Sequence, residues 1–348
     1  MRTALQIPVC VLILAATSSA QRTITLEPSK DASMFANSGT LACGRGVLVS
    51  GRTVRFGVRR ALVAFPVASK IPAGSKITSV TVQMTVLMTI SGSKTSSLHR
   101  VLSDWGEAGS ACSNGGGAAA KAGDATWTHR FFKTKAWTKA GGDFVAAASA
   151  SAAGSAAHVW SSNAALISDV QAWLDRPATN FGWLIETDEK VTSARLWGSR
   201  ESQAASRPKL VVQFKLPPAM VVSIGKGCAD TNGRDLRQTA SGLPKLGNKT
   251  FSLAVTNGPT PGLAVLFLAA RLQTPPIKLN ANNCFLYISL PSVATAAASA
   301  LTNGNARFPV PIPGIAALAG VKFDSQVLSF DRQAVLRTSN ALTGRLGG

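Results

Sequence analysis

The chain has 348 residues, 46% apolar and 6% aromatic, with 36 Lys and Arg against 16 Asp and Glu and a net charge of +20. That apolar share excludes a disordered polyelectrolyte, which could not bury enough surface to offset the entropy of ordering. The basic excess is spread along the chain: 23 basic against 12 acidic residues fall in 22–217, and 12 against 4 in 218–348. Such a diffuse excess attracts polyanions without choosing among them.

At the N-terminus, Arg2 precedes an apolar run, Ile7–Ala16, and then the small residues Ser18, Ser19 and Ala20. This is the order of a secretory signal, so residues 1–20 are expected to direct export and the protein to work secreted, outside the cell or at its surface. Cys10 sits within the apolar run and is not read as a lipid anchor. No later apolar stretch reaches the eighteen residues of a spanning helix, and no membrane span is expected. Export, together with the lack of a helix-turn-helix, zinc-finger or RNP pattern, argues against a nucleic-acid partner.

Residues 21–216 and 217–348 are expected to form two domains, both jelly-roll-like β-sandwiches and the first with one short helix. Val, Thr, Ser, Ala and Gly are plentiful, and the apolar residues recur with period two. "ITSVTVQMTVLM" places Val80, Val82, Met84, Val86 and Met88 on one face of a strand of about ten residues. "AALISDVQAWL" instead repeats Leu166, Val170 and Trp173 at helical spacing, with a capping residue among Ser161–Asn163, and reads as a helix on a sheet edge. "KLVVQF" returns to period two with Leu210, Val212 and Phe214 inward. "FKLPPAMVV" then breaks the ladder at Pro217 and Pro218, where neither residue can donate a backbone hydrogen bond.

Beyond that break every element reads as a strand. "FSLAVT" turns Phe251, Leu253 and Val255 inward, "LAVLFLAA" is a continuous apolar run like a buried sandwich strand, and "CFLYISL" and "VKFDSQVLSF" follow, separated by turn clusters such as "NGPTPG" and "PIPG". Gly115–Ala120 and Ala146–Ala157 are low in complexity and are expected to be mobile. Outside the signal segment there are four cysteines, which allow three pairings. Two fall in each domain, so Cys43–Cys112 and Cys228–Cys284 are the economical bridges, each stabilising by roughly 4 kcal/mol in the chain-entropy model.

The densest chemistry lies in "GDATWTHRFFKTKAWTKAGGDF", Gly123–Phe144. Asp124 and Asp143 suit turns, where a carboxylate accepts nearby backbone N–H groups. If the segment is extended, Ala125, Trp127 and His129 share one face and Thr126 and Thr128 the other, which packs Trp127 against a core.

Several pieces occur together in a known order: "DASMFAN", "RRALVAFPVASKIPAGSKITSVTVQMTV", "GDATWTHRFF…AWTKAGGDF", "DVQAWLDRPATNFGWLIETDE" and "ARLWGSRES…RPKLVVQF". Over about residues 22–215 the chain resembles the DNRLRE-domain family. That resemblance implies a β-sandwich like those of carbohydrate-binding modules, found in secreted proteins and beside polysaccharide-degrading enzymes. It also implies that "GDATW" and "AGGDF" shape an excursion between strands. The remainder is similar to a small C-terminal β-domain of exported bacterial proteins, with no activity attached.

The expected role is noncatalytic binding of a polysaccharide, an acidic one being favoured by the basic charge, or of the cell envelope. The alternative is a structural or adhesive extracellular protein with no specific sugar ligand. Sugars stack on exposed aromatic faces, and acidic sugars pair with arginine forks. The binding candidates are Arg45, Arg52, Arg55 and Lys94 on loops, with Trp105, Trp127 and Trp137 as platforms. Enzymatic activity is not expected. Asp104 with Glu107, or Asp188 with Glu189, could pair as a glycosidase requires, but neither pair sits in a motif. His99, His129 and His158 are isolated, and Tyr287 lies within an apolar strand. No cofactor is expected, except that Asp31 with neighbouring carbonyls could offer calcium a set of oxygen ligands.

Overall fold

The structure, a computed structural model, describes residues 21–113, 115–279 and 284–348; the expected export signal, residues 1–20, lies outside the described residues. It is mainly β, with 49% of residues in strands. The first half comprises β1 (Gln21–Leu26), β2 (Lys30–Phe35), β3 (Leu41–Cys43), β4 (Leu48–Thr53), β5 (Gly57–Ala64), β6 (Lys76–Thr89), β7 (Lys94–Arg100), β8 (Ala118–Ala119), β9 (His129–Phe131) and β10 (Lys135–Ala136). It continues through β11 (Ala150–Gly154), β12 (Ala157–Trp160), α1 (Ala164–Asp175), β13 (Trp183–Thr187), β14 (Arg195–Trp197) and β15 (Lys209–Lys215).

Hydrogen bonding runs β1-β15-β6-β14-β4-β5-β13-β7-β11, with β12 on β6 and β2 on β5. The main core lies where β6 and β15 face β5, β13 and β7. Val80, Val82 and Met84 fill it as the period-two reading requires. Ile77 is buried as well, although its parity is wrong. Gln213 pairs Ser79 while Phe214 pairs Ile77, and this one-residue bulge at Thr78 turns both Ile77 and Val80 inward. The other end of β6 departs from expectation: Met88 is 59% exposed, because β6 there has run past the core and pairs only the short β14.

The helix begins where its cap was expected, with Asn163 accepting from the Leu166 N–H at 2.9 Å. Leu166, Val170, Trp173 and Leu174 enter the main core, and the Trp173 ring meets Trp183 edge-on at 4.5 Å. The alanine-rich stretch expected to be mobile instead forms β11 on β7 and β12 on β6. A ladder needs only backbone groups, so small side chains do not prevent it.

The second half contains β16 (Met220–Ile224), β17 (Arg237–Ala240), β18 (Ser252–Thr256), β19 (Gly262–Ala269), β20 (Leu272–Lys278), β21 (Phe285–Ile288), β22 (Val293–Leu301), β23 (Ala306–Pro309), β24 (Lys322–Asp331) and β25 (Leu336–Arg345). A sheet β16-β25-β24-β19-β22 faces a sheet β17-β18-β23, and β20 and β21 form a ribbon. Phe251, Leu253 and Val255 meet Ala264, Leu266 and Val327 between the sheets. The "LAVLFLAA" run is therefore not buried on both faces; Ala264 and Leu266 point inward while Leu263 is exposed. Among the described residues no sheet mixes strands from the two sides of Pro217, although Ala319 packs onto the first core. The bridges are Cys43–Cys112, with Cα atoms 5.4 Å apart, and Cys228–Cys284, 4.7 Å apart.

Candidate functional site

The β4–β5 hairpin pairs Gly51 with Arg59, Arg52 with Val58 and Thr53 with Gly57, leaving Val54, Arg55 and Phe56 as its tip. Gly57, at φ +71°, supplies the left-handed residue that brings the chain back. The Thr53 hydroxyl accepts from the Phe56 N–H at 3.1 Å. Val54 is 84% exposed and Phe56 46%, so the tip carries an aromatic ring into solvent. The Arg55 guanidinium lies 5.2 Å from that ring's centre, and Arg59 lies 5.8 Å from it and 5.7 Å from Phe35.

Arg59 is only 4% exposed. Its Nη1 donates to Thr53 Oγ1 at 2.8 Å and to the Gly57 carbonyl at 3.0 Å. Among the described residues no carboxylate pairs with it, and its Nε and Nη2 make no hydrogen bond. Desolvation by burial pulls its pKa down, with no opposing carboxylate. Beside it opens a cleft of about 220 Å³, lined by Phe56, Met88, Ile90, Leu196, Gly115 and Gly116 among others. A second buried arginine, Arg195 of β14, lines the same cleft and donates to the Gly154 and Gly92 carbonyls, again with no carboxylate among the described residues.

The structure brings Arg52 and Arg55 together on this hairpin, both exposed. Arg45 is exposed elsewhere, on the segment that the first disulfide ties to residues 110–112. Lys94 opens β7, and its carbonyl accepts from His158 Nε2 at 3.2 Å. The three tryptophans converge, but on each other's core. Trp105 is 1% exposed, with its indole N–H on the Phe181 carbonyl; Trp137 is 5% exposed, with its N–H on the Thr126 carbonyl. Neither presents a face to a sugar, which corrects the expectation of platforms there. Trp127 is half-buried against the same cluster, and the Arg60 guanidinium, held by Glu189, covers its ring at 5.0 Å. Gly141, at φ +93°, lies so close that a Cβ would meet the indole at 2.9 Å.

The segment before Trp127 is not a strand, so the expected alternation fails: Thr126 is fully buried alongside Ala125. The turn reading of its acids holds. Asp124 accepts from the Ala108 and Lys121 N–H groups, and Asp143 from those of Thr138 and Lys139.

Asp31 stands in a group that sequence spacing did not reveal. Its carboxylate, that of Glu107 and that of Glu201 bring oxygens within 4.8 Å of one another. Arg200 is set among them: its N–H donates to Asp31 Oδ2 at 2.8 Å, and its guanidinium meets Glu107 at 2.9 Å and Glu201 at 3.0 Å. These three acids are the donors a hard cation would use. Glu107, however, already spends one oxygen on Arg200 and the other on the Asp31 N–H. Glu107 and Glu201 share the Arg200 guanidinium while Asp31 accepts from its backbone N–H, and burial pushes the Asp31 carboxyl up to about 8.

Phe56 and Arg59 were the residues missed at the hairpin. Arg52 and Arg55 of the same hairpin were expected to bind, but a lone Phe beside Gly57 gave no sign of its exposure. No family model matches the chain, and no curated protein matches it.

Proposed function

We propose that this is a secreted, noncatalytic protein that binds a polysaccharide or the cell envelope, with an N-terminal DNRLRE-type sandwich as the binding module and the β4–β5 hairpin as its contact surface. The observation that carries the reading is the exposed Phe56 ring flanked by Arg55 and Arg59 at the mouth of a small cleft. An aromatic face covers the C–H face of a sugar, and the Arg59 fork reaches its oxygens. Two disulfides are compatible with an oxidising, extracellular setting. No helix among the described residues is long and apolar enough to cross a membrane.

A glycan array read at low and high salt tests this. Saturable, sugar-selective retention that survives salt and is weakened by Phe56→Ala is the expected result. The spread charge of +20 favours one competing reading, a structural or adhesive extracellular protein that meets every polyanion alike. Retention erased by salt on all polyanions would establish that reading instead.

A further inference from the structure

We propose that the cleft beside Phe56 is an oxyanion subsite, in which Arg59 receives the carboxylate or sulfate of an acidic sugar whose ring lies on Phe56. This rests on the glycan-binding reading above and says which sugars satisfy it.

A guanidinium taken out of water ordinarily has a carboxylate beside it, because a desolvated charge is costly when unpaired. Arg60, the next residue, obeys this rule with a forked contact to Glu189 at 2.7 and 2.8 Å. Arg59 does not. It is buried, with its guanidinium 5.7 Å from the Phe35 ring centre and 5.8 Å from that of Phe56; it uses one nitrogen on local oxygens and among the described residues leaves Nε and Nη2 without acceptors. Those two nitrogens form the side of the fork that donates to two oxygens of one anion. Arg59 lines the cleft, and among the described residues no acidic residue lines it.

The rest of the lining fits a sugar ring better than a bare ion. Phe56, Met88, Ile90 and Leu196 give an apolar wall, which a small inorganic anion would not use. At about 220 Å³ the space is below that of a drug-sized pocket, so it takes one sugar residue rather than an oligomer. Arg52 and Arg55 play a different part. Both are exposed and hydrated, so they raise the local concentration of polyanions without selecting a group.

The test uses the full chain at fixed ionic strength and four ligands: a polyuronate, its carboxyl-reduced counterpart, a sulfated glycan and its desulfated counterpart. At least one anionic member should bind about tenfold or more tighter than its neutral partner, the scale of a charge-assisted hydrogen-bond pair. Which pair shows the preference identifies carboxylate or sulfate. Arg59→Gln should abolish the preference, whereas Arg52→Ala should weaken both anionic ligands by the same small factor and leave most of it. Arg59→Lys retains the charge without the fork and should also lose most of the preference. If neither glutamine nor lysine folds at this position, thermal shifts of the unmodified protein with free glucuronate, glucose 6-sulfate and glucose decide, and only the acids should stabilise. Equal affinity within each pair, or a preference that persists in Arg59→Gln, would overturn the subsite while leaving glycan binding intact. Failure to bind any of the four ligands would overturn the glycan reading itself, and the subsite with it.

Discussion

The 104–144 segment and the β4–β5 hairpin contain the same ingredients, aromatic rings beside cations, and the fold sends them in opposite directions. In the first, Trp105, Trp127 and Trp137 converge on one apolar cluster, Lys30 lies 4.3 Å over the Trp105 ring, and each indole N–H of the two buried tryptophans finds a carbonyl. In the second, Phe56 is held out at a hairpin tip, and Arg59 beside it pairs with no acid among the described residues. Aromatic and basic residues close in sequence therefore do not identify a binding surface. What separates the two is whether the polar groups are already satisfied. The tryptophan cluster is closed chemistry, while the hairpin leaves donors unused.

This contrast should be largest in stability. Trp105→Ala or Trp137→Ala removes a buried ring and is expected to cost about 3–5 kcal/mol, read from denaturant unfolding. A near-neutral result for either would mean that the cluster is not a core. Removing the Cys43–Cys112 bridge, which ties the start of that region to β3, should cost about 2–5 kcal/mol. Thermal unfolding with and without reductant reads this bridge together with Cys228–Cys284.

The next effect depends on pH. Asp31 has a folded pKa raised from 3.8 to about 8, so the fold favours its protonated form. Its contribution to stability is therefore greatest below the unfolded value, falls as pH rises through the interval up to about 8, and is level above it. Asp31→Asn mimics the protonated acid and can still accept from the Arg200 N–H. It should leave stability unchanged near about pH 4 and raise it above wild type by a few kcal/mol, in order of magnitude, near about pH 9. A variant less stable than wild type at alkaline pH would show that the ionised carboxylate is what the cluster uses.

Much of the scaffold was legible from residue order because burial and period go together. Val80, Val82 and Met84 on one strand, Leu210, Val212 and Phe214 on another, and the Asn163 cap all follow local rules. The disulfides followed from counting two cysteines on either side of Pro217. The failures came where tertiary context decides. Met88 kept its period but outran the core, and Thr126 entered a core through a bend that no periodicity signals. The site was harder still. Asp31, Glu107 and Glu201 are separated by 76 and 94 positions in the chain and meet only through folding. Arg59 differs from Arg60 by the absence of a carboxylate that only three-dimensional packing could have supplied.

The smallest stability effect is the most informative. Phe56→Ala alters a ring that is 46% exposed and should change stability by no more than about 0.5 kcal/mol. Paired with Trp127→Ala and read on two axes, melting temperature and retention on a bound glycan, it tests the central claim directly. Expected is a crossed result: Phe56→Ala melts like wild type and loses retention, while Trp127→Ala melts lower and, at a temperature where it remains folded, retains the glycan. Lost retention with unchanged melting in Trp127→Ala, together with normal retention in Phe56→Ala, would contradict it and move the binding surface to residues 123–144.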